Sequence, residues 1–158
     1  MKRLAMIFAV GVLVWSASGR VLAQSDAHIG TWKLNVAKSK YDPGPASKSE
    51  TRKYEATDGG YKFSGTTVTA DGSTHSSAFT VKYDGKDYPY TADPNGADTL
   101  AVKLVDANHL DSTAKKGGKV LYTSKVVVSD GGKVMTITSK GTDSNGKAFN
   151  NVLVYDRQ

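Results

Sequence analysis

His28, His75, His109, the Asp84/Asp87 pair and a scatter of serines are the residues whose types could do metal, acid–base or nucleophilic chemistry. A metal site wants His, Cys or acidic ligands at short, repeating spacings, and the three histidines stand far apart. Asp84 and Asp87 bracket Gly85, where turn formation accounts for them better than paired carboxylates at a scissile bond. The serines lack the strand–turn–helix context of a nucleophile elbow. There is no cysteine. The chain therefore offers no catalytic residue, no metal ligand and no cofactor motif, and the expectation is a protein that is not an enzyme.

Binding chemistry is better represented. Tyr54, Tyr61, Phe63, Phe79, Tyr83 and Tyr155 are aromatics that can line the interior of a small β domain or its mouth, where they would contact an apolar ligand. The same six side chains serve equally well as plain core packing, because aromatics dominate the energetics of any small core. Which of the two holds depends on the elements that carry them.

Residues 1–23, "MKRLAMIFAVGVLVWSASGRVLA", are set apart from those elements. Lys2 and Arg3 precede an uncharged run from Leu4 to Trp15, and Val21 and Ala23 occupy the small-residue positions before a cleavage point. That pattern reads as a secretory signal cleaved after Ala23. The run is too short to cross a bilayer as a helix. With no cysteine for a lipid anchor, the expected product is a periplasmic or secreted protein with no membrane anchor. Residues 24–29 read as a short tail and 30–158 as one domain.

Lys2, Arg3 and Arg20 lie in the leader, whereas all 15 acidic residues follow it, so the net charge of +6 falls to +3 for residues 24–158. The remaining basic residues are dispersed; Lys115, Lys116 and Lys119 are the densest group, around a glycine turn. Nucleic-acid binding needs a concentrated basic face with stacking aromatics beside it, and no such face is expected. Apolar residues make up about one third of 24–158, a lean content that suits one curved sheet with a single buried face.

Turn chemistry divides the domain. Asp58-Gly59-Gly60, Asp71-Gly72, Asp84-Gly85, Asn95-Gly96, Gly117-Gly118, Asp130-Gly131-Gly132 and Asn145-Gly146 supply the positive φ angles of tight hairpins. Between them lie segments rich in Thr, Val, Tyr and Ser. They predict ten strands, at 30–36, 48–56, 60–69, 74–83, 86–91, 98–105, 109–115, 119–128, 133–142 and 147–155. Trp32, Leu34 and Val36 alternate with polar neighbours, as do Phe79, Val81 and Tyr83, which marks half-buried strands. Short links throughout imply an antiparallel up-and-down meander, and closure into a barrel removes its edges. A two-sheet sandwich is the competing architecture. Residues 37–47 read as a loop with room for one helical turn, and Tyr88-Pro89-Tyr90 should mark a bulge, a strand end or a gap. With the "DPNG" turn at 93–96 it reads either as a lip over the barrel mouth or as simple punctuation.

Gly30-Thr31-Trp32 on the first strand of such a meander resembles the G-x-W signature of the lipocalins and their calycin relatives, which include the fatty-acid-binding and avidin groups. "YDGKDYP" and "DTLAVK" are similar to secreted bacterial proteins of lipocalin-like type, to which no chemistry is attached. The resemblance implies a barrel of 8 to 10 strands of lipocalin or fatty-acid-binding type. It also implies structural roles for Gly30 and Trp32 at the closed end, with Arg157 packed across the Trp32 ring. Fatty-acid-binding proteins resemble the chain at "VYD", but their carboxylate anchor, an arginine two residues before the tyrosine, is replaced here by Leu153. Their helix pair after the first strand has no room in 37–47. The functional expectation is a binding protein for a small hydrophobic ligand inside the barrel. The alternative is an envelope domain with a filled barrel, acting through its outer surface as an inhibitor or assembly partner. Oligomeric state is not legible.

Overall fold

The computed structural model describes residues 26–158. The expected leader and its cleavage point lie outside the described residues. Ten antiparallel strands follow one another: β1 (Gly30–Leu34), β2 (Ser49–Thr57), β3 (Gly60–Val68), β4 (Thr74–Lys82), β5 (Asp84–Pro89), β6 (Thr99–Asp106), β7 (His109–Lys116), β8 (Lys119–Ser129), β9 (Val134–Thr142) and β10 (Ala148–Arg157). All belong to one sheet in the order β4-β3-β2-β1-β10-β9-β8-β7-β6-β5. The sheet curls into a nearly closed barrel whose first and last strands, β1 and β10, pair in its middle. Its two edges, β4 and β5, are neighbours in sequence but form no ladder with each other. One unsealed seam therefore runs down the wall.

Local chemistry explains the hairpins. Between β3 and β4, Thr69 and Ser73 close a turn in which the Asp71 carboxylate accepts from the Ser73 amide at 2.9 Å. Gly72 there takes φ +96°, a conformation that an L side chain resists. The strand expected at 86–91 begins earlier, at Asp84, because a bulge between Asp84 and Asp87 absorbs the Gly85 turn into the strand. It ends at Pro89, which has no amide to offer β6 beyond that point.

The 37–47 segment is more ordered than a free loop. Val36–Lys38 forms a single 3-10 turn capped by the Asn35 side chain. Lys40 then exchanges both backbone hydrogen bonds with Val152, at 2.7 and 2.8 Å. After a one-turn interruption, the chain leaving β1 thus resumes its place beside β10.

Trp32, Val81, Ala114, Met135 and Tyr155 are fully buried with Val102 close behind, and His28 is buried with Trp32 at the base of the barrel. Residues 26–29, read from sequence as a tail, are part of this base. The Trp32 indole N–H donates to the His28 carbonyl at 2.9 Å. Arg157 stands 4.1 Å from the Trp32 ring and donates to the carbonyls of Ala27, Ile29 and Gly132 at 2.5, 2.7 and 2.5 Å. A cation over an indole face is worth about 1–2 kcal/mol when partly desolvated. The terminal arginine clamps a plug made of the segment before β1.

Candidate functional site

Strand parity selects the inner wall. On β2, Glu50, Arg52 and Tyr54 face inward, whereas Thr51, Lys53 and Glu55 face solvent. Across the ladder Tyr54 pairs with Phe63, and Phe63 with Phe79, so these rings meet in register. Tyr54 touches Tyr61 and Phe63 edge-on, with centroids at 5.1 and 5.2 Å; Phe63 stacks on Phe79 at 4.7 Å; Tyr61 reaches Tyr83 at 5.7 Å. Five of the six aromatics singled out in the sequence thus form one contact chain along the seam side. Tyr155 stands apart from it, on β10.

The group that joins the two was not singled out. The Arg52 guanidinium lies 4.9 Å from the Tyr155 ring and 5.7 Å from that of Phe63. Its Nε donates to Glu50 Oε1 at 2.6 Å and Nη1 reaches the Tyr54 hydroxyl at 3.5 Å. The Tyr155 hydroxyl donates to the other Glu50 oxygen at 2.9 Å. Burial disfavours the charged guanidinium, but Glu50 and the Tyr155 and Tyr54 hydroxyls outweigh that and hold Arg52 protonated well above its ordinary range. Burial, with Glu50 alongside, likewise pushes the Tyr155 phenol up. The signal for this ion pair was present in the alternation that places Glu50 and Arg52 on the same face as Tyr54.

At the far end of the barrel, the segment after β5 folds inward. Tyr90 packs edge-on against Phe79 at 4.8 Å, and the Tyr122 hydroxyl donates to Asp93 at 2.9 Å. The Ser144 amide holds the Asn95 carbonyl at 2.8 Å. Tyr88-Pro89-Tyr90 and the 93–96 turn therefore border the seam and one end of the interior together. Phe149 closes on Tyr122 from β10 at 5.4 Å.

The histidines do not converge. His28 Nδ1 lies 2.8 Å from Asp26, whose other oxygen accepts from the Tyr83 hydroxyl. His109 pairs with Asp106 on the surface, and His75 is exposed on β4. Asp84 accepts from the Lys86 amide and Asp87 pairs with Lys115, so neither carboxylate is held for acid–base work. Among the described residues no three His, Cys, Asp or Glu side chains gather as a metal site would require.

Two open concavities lie on the outer wall. One, of about 370 Å³, crosses β2, β3 and β4 over Thr51, Lys53, Ser64, Gly65, Thr66, Ser76, Ser77 and Ala78. The other, of about 200 Å³, lies near Val105, His109 and Val127. Inside, the base is filled by side chains. On the inner face Gly65 and Ser77 lie opposite each other with the Phe63 ring over Gly65, and Ser124 is bonded to Ser139 at 2.7 Å. Gly65, Ser77, Ser139 and Asn151 are only half-buried there.

An up-and-down barrel of ten antiparallel strands is the fold found in solved fatty-acid- and bile-acid-binding proteins. Solved structures carry that comparison. The protein is similar to the zebrafish ileal bile acid-binding protein complexed with cholic acid, at TM-score 0.52 and 16% identity over 84% of this chain and 99% of that one. It is also similar to As-p18, an extracellular fatty acid binding protein, at TM-score 0.57 and 15% identity over 85% of this chain and 99% of that one. No family model matches the sequence, and no curated protein matches it. These neighbours are binding proteins rather than enzymes.

Proposed function

We propose that the protein binds a small amphiphile inside its barrel, with the apolar part along Tyr54, Phe63 and Phe79 and a polar oxygen on Arg52. The observation that carries this reading is the incomplete coordination of Arg52. Its Nε and Nη1 have partners, Nη2 has none among the described residues, and the side chain keeps 21% of its exposure while Glu50 keeps 9%. A buried ion pair stabilises a fold little better than apolar residues of equal volume. A guanidinium with spare donors, set beside the rings of Tyr155 and Phe63, is suited to recognition. The fold neighbours, a bile acid-binding and a fatty acid binding protein, support the same direction. The leader-like residues 1–23 support action outside the cytoplasm, in a periplasm or after secretion.

Native mass spectrometry with a panel of single-chain and sterol-type amphiphiles tests the proposal. The expected result is one bound molecule per chain, abolished by Ser77→Trp, which brings an indole to the inner face across from Gly65, beside the Phe63 ring. Binding that survives this substitution, or no binding by any member of the panel, would sink the interior site. The second reading, a filled barrel acting through its outer wall, is favoured by two open concavities on that wall. It predicts capture of a protein partner by the wild type and the Ser77→Trp variant alike.

A further inference from the structure

The Arg52 charge is not free. Glu50 lies 2.6 Å from Nε, and its second oxygen is held by the Tyr155 hydroxyl, so the carboxylate is fixed at the site. The groups that face Glu50 are Arg52 and Tyr54 from its own strand, Tyr155 from β10 and Tyr41 from the segment after β1. No second cation is among them. Lys53 points outward to Glu55 at 3.0 Å, and the Lys48 ammonium reaches the Gly72 turn. One guanidinium is therefore matched by one carboxylate, and the site is electrically neutral before any ligand arrives.

Resting on the proposed interior site, we infer that Glu50 sets its specificity: the barrel takes an uncharged oxygen head group, such as an alcohol, ester or amide, and discriminates against a carboxylate. A neutral oxygen can accept from Arg52 Nη2 and leave the Glu50 bond intact. An anionic head group would place two carboxylates on one cation away from bulk water, and one of them must then take up a proton. The ligand's charge is thus opposed by a residue of the wall itself.

Isothermal titration of the 24–158 protein with lauryl alcohol, methyl laurate and laurate, at neutral pH, tests this. The uncharged pair is expected to bind roughly tenfold or more tighter than laurate, the size of a one-unit displacement of a carboxyl group by a like charge. Residual laurate binding should take up one proton, seen as a dependence of the heat on the ionisation enthalpy of the buffer. Glu50→Gln keeps an oxygen for Tyr155 and leaves Arg52 uncompensated, so it should reverse the preference and abolish the proton uptake. Laurate binding the wild type as tightly as methyl laurate, with no proton uptake, overturns the role of Glu50 and leaves the interior site standing. If none of the three binds, the role of Glu50 falls together with the site. The proton measurement uses the wild type alone, so the outcome does not depend on the folding of the variant.

Discussion

At the residue scale, the Glu50–Arg52 pair separates stability from function. Removing one member strands the other inside the barrel, whereas replacing both with apolar groups removes the cost of burying charge. Arg52→Ala should lower the free energy of unfolding by about 3 kcal/mol, whereas Glu50→Leu combined with Arg52→Met should recover most of that loss. Urea denaturation followed by circular dichroism of both variants checks this; a double variant as unstable as the single one would make the pair a structural device. Sequence reading passed over the pair for a physical reason. Charged residues are ordinarily outside, and in the strand expected at 48–56 only Tyr54 stands out, as an aromatic.

At the scale of elements, the segment before β1 shows what a linear reading misses. Residues 26–29 make a local turn, in which the Asp26 carboxylate accepts from the His28 amide at 2.9 Å and the Asp26 carbonyl from the Ile29 amide at 3.3 Å, but that turn alone does not place them. They are ordered by partners distant in sequence: Tyr83 after β4, the Ala107 carbonyl in the β6–β7 turn and Arg157 at the end of β10. The strands were legible because the Asp-Gly and Asn-Gly turns that bound them are local. Burial works against the Asp26 carboxylate, but hydrogen bonds from His28 and Tyr83 outweigh it and hold its pKa below the ordinary 3.8. A depressed carboxyl contributes stability above its ordinary value and loses that contribution as pH falls through the folded one. Trp32 fluorescence should therefore hold steady down to about pH 4 and change below it as the plug loosens. In Asp26→Asn the plug should be weaker at neutral pH and this acid step absent. An unchanged acid profile in the variant would assign the step to other carboxylates.

For the whole molecule, the alkaline limit is set by tyrosine. All eight tyrosines have phenols shifted upward, Tyr61 and Tyr155 by burial above all. Groups raised in the folded state favour it fully below their unfolded value and withdraw that support as pH rises toward the folded one. Spectrophotometric titration should show little tyrosinate near pH 10, then a cooperative rise that coincides with loss of β structure, because the unfolded chain ionises first. Gradual ionisation with the sheet intact would mean that the rings are reached by solvent. The aromatic interior was visible in the sequence as a set of residues. Its division into a seam-side chain and a separate Tyr155, bridged by a cation, depends on ladder register and was not.

The unsealed seam has a topological consequence. Because β4 and β5 exchange no ladder hydrogen bonds while β1 and β10 do, the barrel is a strip rolled up with the chain's two ends side by side at its centre line. The Gln158 amide donates to Thr31 at 3.0 Å. The order of the strands is therefore separable from the shape they make. A circular permutant that joins Gln158 to Asp26 through a short glycine linker and opens the chain between Tyr83 and Asp84 would turn the strip into an uninterrupted run from one free edge to the other. Such cuts succeed where few contacts cross the new break. The permutant should fold with the same circular dichroism as the parent; failure to fold would show that the β4–β5 corner, and not the ladder, holds the strip rolled.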